Sequence, residues 1–198
     1  MCVFVRLVCV LPCDRLASCP GFVPALCPLL AGLGSTLFST KWSHHSKVLE
    51  LGTFCGYSAV RILRLLPTTG KLLTVERDPH TADVAEEMIL VAGFKHSQVD
   101  CTAQVAIAQL QSCYGISSVD LLVMKHNVAD YLADLQTLEN SRILSYGCVL
   151  LVLKSHLPGA LQFLQYVHHN ASFKVVSQVM DVMEIHYFYL SHKRPLQS

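Results

Sequence analysis

From Lys47 onward the chain alternates short apolar runs with segments of helical spacing, and the apolar runs carry no regular polar alternation. "VLEL" (residues 48–51), "KLLTVE" (71–76), "SVDLLVM" (118–124) and "GCVLLVL" (147–153) are apolar on both faces. Such strands must be covered on both sides, so the helices between them have to pack above and below a mostly parallel sheet. Residues 58–66 put Val60, Ile62, Leu63, Leu65 and Leu66 at helical spacing. "DPHTADVAEEMILVAGF" opens with Asp78 as N-cap and Pro79 at the first helical position, and it closes near Gly93. Further helices are expected over residues 103–112, 130–144 and 158–169, with a weak strand at 97–101. "FKVVSQVM" and "DVMEIHYFYL" are β-rich and close together, which predicts a terminal antiparallel pair.

A composition shift near residue 46 divides the chain into a Cys- and Pro-rich apolar leader, 1–46, and a domain over 47–198. Residues 16–40 carry no charge and follow Arg6 and Arg15. Their length approaches a membrane span, but Pro20, Pro24 and Pro28 interrupt it. The run therefore reads either as an anchor or signal, or as a loosely ordered leader. Five of nine cysteines fall in the first 27 residues, and the odd count forbids complete pairing within one chain. Cys55, Cys101, Cys113 and Cys148 lie in apolar segments and read as buried free thiols. A net charge of +1 implies no broad basic face, so nucleic acid is not an expected partner. His44-His45 and His168-His169 lack partners at ligand spacing and read as solvated, and Tyr187-Phe188-Tyr189 reads as terminal-strand packing.

The chemistry sits in "KVLELGTFCGYS", residues 47–58. In an open α/β sheet ligands bind beyond the carboxyl ends of the strands. Gly52 ends the first strand there and Gly56 precedes the helix, and glycine permits a sharp turn and a close approach. The second strand ends on Glu76, an acid placed to accept the hydroxyls of an adenosine ribose. The Gly-x-x-x-Gly spacing lacks the pyrophosphate turn of Gly-x-Gly-x-x-Gly. A nucleoside without phosphates fits better than a dinucleotide, and S-adenosylmethionine is the obvious one, with Glu50 near its ammonium group. The bland alternative is a pair of ordinary turn glycines and a solvated strand-end acid.

"VLELGTFCGYSAVRILRLLP", "GKLLTVERDP", "VAGF", "VDLLVMKHNVADYL" and "LPGALQFLQYV" resemble the catechol O-methyltransferase family, and most closely its transmembrane O-methyltransferase branch. The resemblance runs from about Val48 to about Leu190. It implies an α/β, Rossmann-like S-adenosylmethionine-dependent methyltransferase fold, with a mostly parallel seven-stranded sheet and a C-terminal antiparallel strand. It implies S-adenosylmethionine as cofactor, magnesium as the family's metal, and a catechol as substrate. The cofactor positions carried over are Glu50, Gly52, Tyr57, Ser58, Glu76, Ala103, Gln104 and His126, with Ala103 where the family has a serine and Asn127 where it has a tryptophan.

The catalytic positions depart from the family. Where a metal-binding aspartate and a lysine base stand in active relatives, this chain has Lys125 and Val128. Where the fifth strand supplies two more metal ligands, it has Leu153 and Lys154. The loop between Ser177 and Asp181 looks shortened, and residues 1–46 offer no counterpart of the family's helical cap. The expectation is therefore a catechol O-methyltransferase-like protein that keeps the cofactor, lacks the metal, and transfers methyl weakly or not at all. The alternative is a non-catalytic binding or scaffold protein of the transmembrane branch, a cytoplasmic domain anchored through its N-terminus and partnered with membrane channel proteins of a sensory complex.

Overall fold

The computed structural model describes residues 3–9, 46–101, 107, 110, 112, 114–179 and 181–188, with residues 3–9 and 95–101 described through their backbone. Its centre is a mixed sheet of eight strands: β1 (Val3–Cys9), β2 (Lys47–Leu51), β3 (Lys71–Glu76), β4 (Lys95–Cys101), β5 (Val119–Met124), β6 (Leu144–Leu153), β7 (Phe173–Val179) and β8 (Val182–Tyr187). The spatial order is β4-β1-β3-β2-β5-β6-β8-β7. β2 runs parallel to β3 and β5, and β5 parallel to β6. β8 lies antiparallel between β6 and β7, which is the expected terminal pair.

Four of the five expected helices fall where the spacing placed them: α1 (Tyr57–Leu65), α2 (Pro79–Val91), α3 (Tyr131–Asn140) and α4 (Leu161–His169); most of the segment expected to form the fifth, 103–112, lies outside the described residues. Period-two alternation in the strands sorts the core into two layers. Leu49, Leu122 and Leu150 face one way, onto Tyr131 and Leu135 of α3 and Phe163 of α4. Val48, Leu121 and Leu151 face the other way, onto Ala59 and Ile62 of α1 and Ile89 of α2. Asp78 caps α2 as predicted, accepting from the Thr81 backbone N–H at 2.8 Å, with Pro79 next.

Three details differ from the sequence reading. The sheet has eight strands among the described residues, not seven, because Val3–Cys9 pairs antiparallel with both β3 and β4. Its run of Val, Phe and Leu is strand-like, but a distant strand pairing has no local signature. α3 stops at Asn140 rather than Leu144, because Arg142 takes a left-handed φ of 54° and Ile143 already accepts from the Val119 N–H. β6 then starts three residues early and absorbs the irregularity at Gly147, whose φ is 79°. The last helix begins with a 3-10 turn, Pro158–Ala160, before α4.

Cys148 is a buried free thiol, pushed to a higher pKa chiefly by burial, and Cys55 is free and half-buried. Cys113 and the side chain of Cys101 lie outside the described residues. His168 and His169 are exposed. Tyr187 is buried against Phe173 with ring centroids 5.1 Å apart, the packing role expected of it. Residues 16–40, on which the anchor reading falls, lie outside the described residues; among those described, no helix is long and apolar enough to cross a membrane.

Candidate functional site

The carboxyl ends of β3, β2 and β5 lie side by side, and the sequence-predicted residues gather there. Leu51 pairs with Val75 on one side and Met124 on the other. The turn after β2 is pinned by Gly52 and Thr53, whose N–H groups both donate to the Val75 carbonyl at 2.8 and 3.1 Å. Gly52 has a φ of 93°, and a Cβ there would come within 2.8 Å of the His126 backbone nitrogen. Gly56, with a φ of 79°, would meet the Ala85 carbonyl oxygen at 2.9 Å. Both glycines are thus required by backbone conformation and by close protein neighbours.

Glu50 is fully buried in the α1-facing layer of the sheet. Ser58, the second residue of α1, donates to its Oε1 at 2.5 Å. Thr74, paired with Glu50 in register, donates to its Oε2 at 2.6 Å. Because the Thr74 proton is used there, Thr53 is the donor in the 2.6 Å bond between the two threonine hydroxyls. Lys125 completes the cluster. It follows Met124, so the period-two alternation turns it to the same face as Glu50. Its Nζ stands 3.3 Å from Glu50 Oε1 and donates to Ser58 Oγ at 2.5 Å and to the Thr53 carbonyl at 3.0 Å. A residue expected at a metal position and one expected beside a ligand ammonium are therefore bound to each other.

Glu76 ends β3 as predicted and is half-buried. Its Oε1 accepts from the N–H groups of Arg77 and Asp78 at 2.8 and 3.1 Å, and its Oε2 from the Phe54 N–H at 2.7 Å. A carboxylate offers about four acceptor sites, which leaves one on Oε2. Phe54 itself is exposed and held at a left-handed φ of 53°. Tyr57 opens α1, and its hydroxyl accepts from Arg61 Nη1 at 3.1 Å, with the guanidinium 5.9 Å from the ring centroid.

His126 packs its ring on Tyr131 at 4.8 Å and bonds through Nε2 to Asp134 Oδ2 at 2.9 Å. Its Nδ1 is buried and has no hydrogen-bond partner among the described residues. Ala103 and Gln104 lie outside the described residues.

Met124 pairs with Val152, so Lys125 and Leu153 leave β5 and β6 side by side. Tyr131 closes the space between those strand ends: its hydroxyl bonds to the carbonyls of Leu153 at 2.9 Å and Met124 at 3.2 Å. Burial raises the Tyr131 pKa, which keeps that hydroxyl a donor. Leu153 is buried in the α1-facing core. Lys154 is exposed at a left-handed φ of 57°, its N–H donating to the Asp181 carbonyl at 3.1 Å. Val128 packs against the other core layer, and its Cγ2 would lie 2.8 Å from a Cβ on Gly159. Among the described residues no group of three His, Cys, Asp or Glu could hold a metal ion. Thr53, Thr74, Asp134 and Tyr131 escaped the sequence reading. Only Thr74 carried a signal, as a hydroxyl inside an apolar strand two residues before the terminal acid.

Helices on both faces of a mixed sheet, with a parallel centre, antiparallel strands β1 and β8 next to its two edge strands and polar residues at the central strand ends, are the Rossmann-like architecture of S-adenosylmethionine-dependent methyltransferases. The chain belongs to the O-methyltransferase family, whose model matches residues 38–150, more than half of its length. It is 40% identical over 156 residues to the transmembrane O-methyltransferase of Pan troglodytes, covering 77% of this chain and 53% of that protein. It is 39% identical over 130 residues to catechol O-methyltransferase B of Danio rerio, covering 65% of this chain and 49% of that protein. The chain thus spans about half the length of these relatives. Its fold is similar to the crystal structure of an O-methyltransferase from Bacillus cereus in complex with SAH, with a TM-score of 0.66, 16% identity and 84% of each chain covered.

Proposed function

We propose that this chain binds S-adenosylmethionine, or the S-adenosylhomocysteine left by methyl transfer, along the carboxyl ends of β2, β3 and β5, and does not carry out magnesium-dependent methylation of a catechol. Membership of the O-methyltransferase family and the likeness to catechol O-methyltransferases support the cofactor and its class of chemistry. Glu76 supports the binding geometry, since Oε2 keeps an acceptor site for one ribose hydroxyl beside its bond to Phe54. A second hydroxyl would have to displace a backbone N–H.

The observation that carries the reading is the ion pair of Lys125 with buried Glu50. Magnesium takes hard oxygen ligands in near-octahedral array. The strand ends instead supply an ammonium at Lys125, an alkyl group at Leu153 and a second ammonium at Lys154, while Tyr131 takes up the Met124 and Leu153 carbonyls. These residues do not fit the ion. Val128 offers no base to deprotonate a hydroxyl, a loss typically of about 10²–10⁴-fold in rate.

Titration calorimetry of the full chain with S-adenosylhomocysteine tests the binding. A charge-assisted hydrogen bond contributes roughly 1.5–3 kcal/mol. Glu76→Ala is therefore expected to weaken binding by about tenfold or more. Equal affinity in the two proteins would remove Glu76 from the site, and no binding in either would reject the cofactor.

A further inference from the structure

The Lys125–Glu50 pair has an order along the line from core to solvent. The Glu50 side chain is 0% exposed and the Lys125 side chain 11%, so the ammonium lies on the outer side of the carboxylate. Glu50 is held by Ser58, Thr74 and Lys125. The one buried acid among these strand ends is thereby neutralised from within, and the pair presents its positive end outward.

A nucleoside whose ribose meets Glu76 at the end of β3 would carry its 5′ substituent past β2 toward β5, because the strands lie in that order. Lys125 stands at the end of β5, on the face it shares with Glu50. We propose that Lys125 is a specificity-determining residue, a resident ammonium that satisfies Glu50, so that the site favours adenine nucleosides with an uncharged 5′ sulfur over those with a cationic sulfonium. S-adenosylhomocysteine would then be preferred to S-adenosylmethionine. The inference rests on the cofactor reading above and deepens it.

The two nucleosides differ by one methyl group and one positive charge, which makes them the direct probes. Calorimetric titration of the full chain with each gives the ratio of affinities. The wild type is expected to bind the thioether several times more tightly than the sulfonium. Lys125→Met exposes the Glu50 carboxylate to the ligand and should shift that ratio by about tenfold or more toward the sulfonium, because a charge of opposite sign then faces it. Glu50→Gln leaves the cation unpaired and should shift the ratio the other way. The opposite signs separate a charge effect from general damage to the site, and thermal melts report which variants fold. A wild type that prefers S-adenosylmethionine overturns the inference whether or not either variant folds, and so does a ratio unmoved in a folded variant. Failure of the wild type to bind either nucleoside would reject the cofactor reading itself.

Discussion

A lysine at position 125 finds a buried glutamate, a serine hydroxyl and a carbonyl within reach, and its charge is absorbed by the fold. Removing one member of a buried ion pair typically costs about 3–5 kcal/mol, because the other charge stays buried and unpaired, whereas replacing both with neutral groups costs much less. Glu50→Gln and Lys125→Met should each lower the unfolding free energy by about that amount. The double variant should recover much of the loss, a coupling that a double-mutant cycle by urea denaturation measures directly. Additive losses would show that the pair does not act as a unit. The positions of Glu50 and Ser58 on either side of the turn after β2 were legible in the sequence, since the glycines mark it. Their partnership with Lys125 was not: it depends on the register between β2 and β5, which no local pattern encodes.

At the scale of elements, caps and strand ends hold the site's frame. The Thr81 backbone N–H donated to Asp78 holds that carboxyl below its usual pKa and starts α2 directly after Glu76. A depressed folded-state pKa means that the stabilisation is present above the unfolded pKa, near 3.8, and is lost as pH falls through the folded value. Asp78→Ala should therefore melt at a lower temperature than the wild type at neutral pH, with the difference narrowing on acidification below about pH 4. Asp78→Asn, which keeps the acceptor without the charge, should show less pH dependence; melting curves across pH decide both. Tyr131 plays a comparable part from α3, joining the ends of β5 and β6 through one hydroxyl. Tyr131→Phe leaves two buried carbonyls short of a donor and should cost about 1–3 kcal/mol, read by urea denaturation. The Asp78 cap was legible in the sequence because its partner is three residues away. The Tyr131 bridge was not, because its partners are two strand-end carbonyls that only the folded sheet brings together.

Across the whole molecule, the order of strands and helices from Lys47 to Tyr187 follows from apolar runs, their spacing and their punctuation by glycine and proline. The two-layer core follows from period-two alternation in strands covered on both faces. What the sequence could not show was the place of Val3–Cys9 between β3 and β4, a pairing between residues far apart in the chain. The motif-level resemblance carried the family. Lys125, Val128, Leu153 and Lys154 stand at the ends of β5 and β6, where they supply a satisfied ammonium, two packed alkyl groups and an exposed cation. The account therefore separates two properties: a fold suited to S-adenosylmethionine, and a metal-assisted transfer. Labelled-methyl transfer from S-adenosylmethionine to a catechol, measured with the purified full chain across magnesium concentrations and with chelator, tests that separation. The account predicts no turnover that depends on magnesium. Turnover that rises with magnesium and disappears with chelator would contradict it.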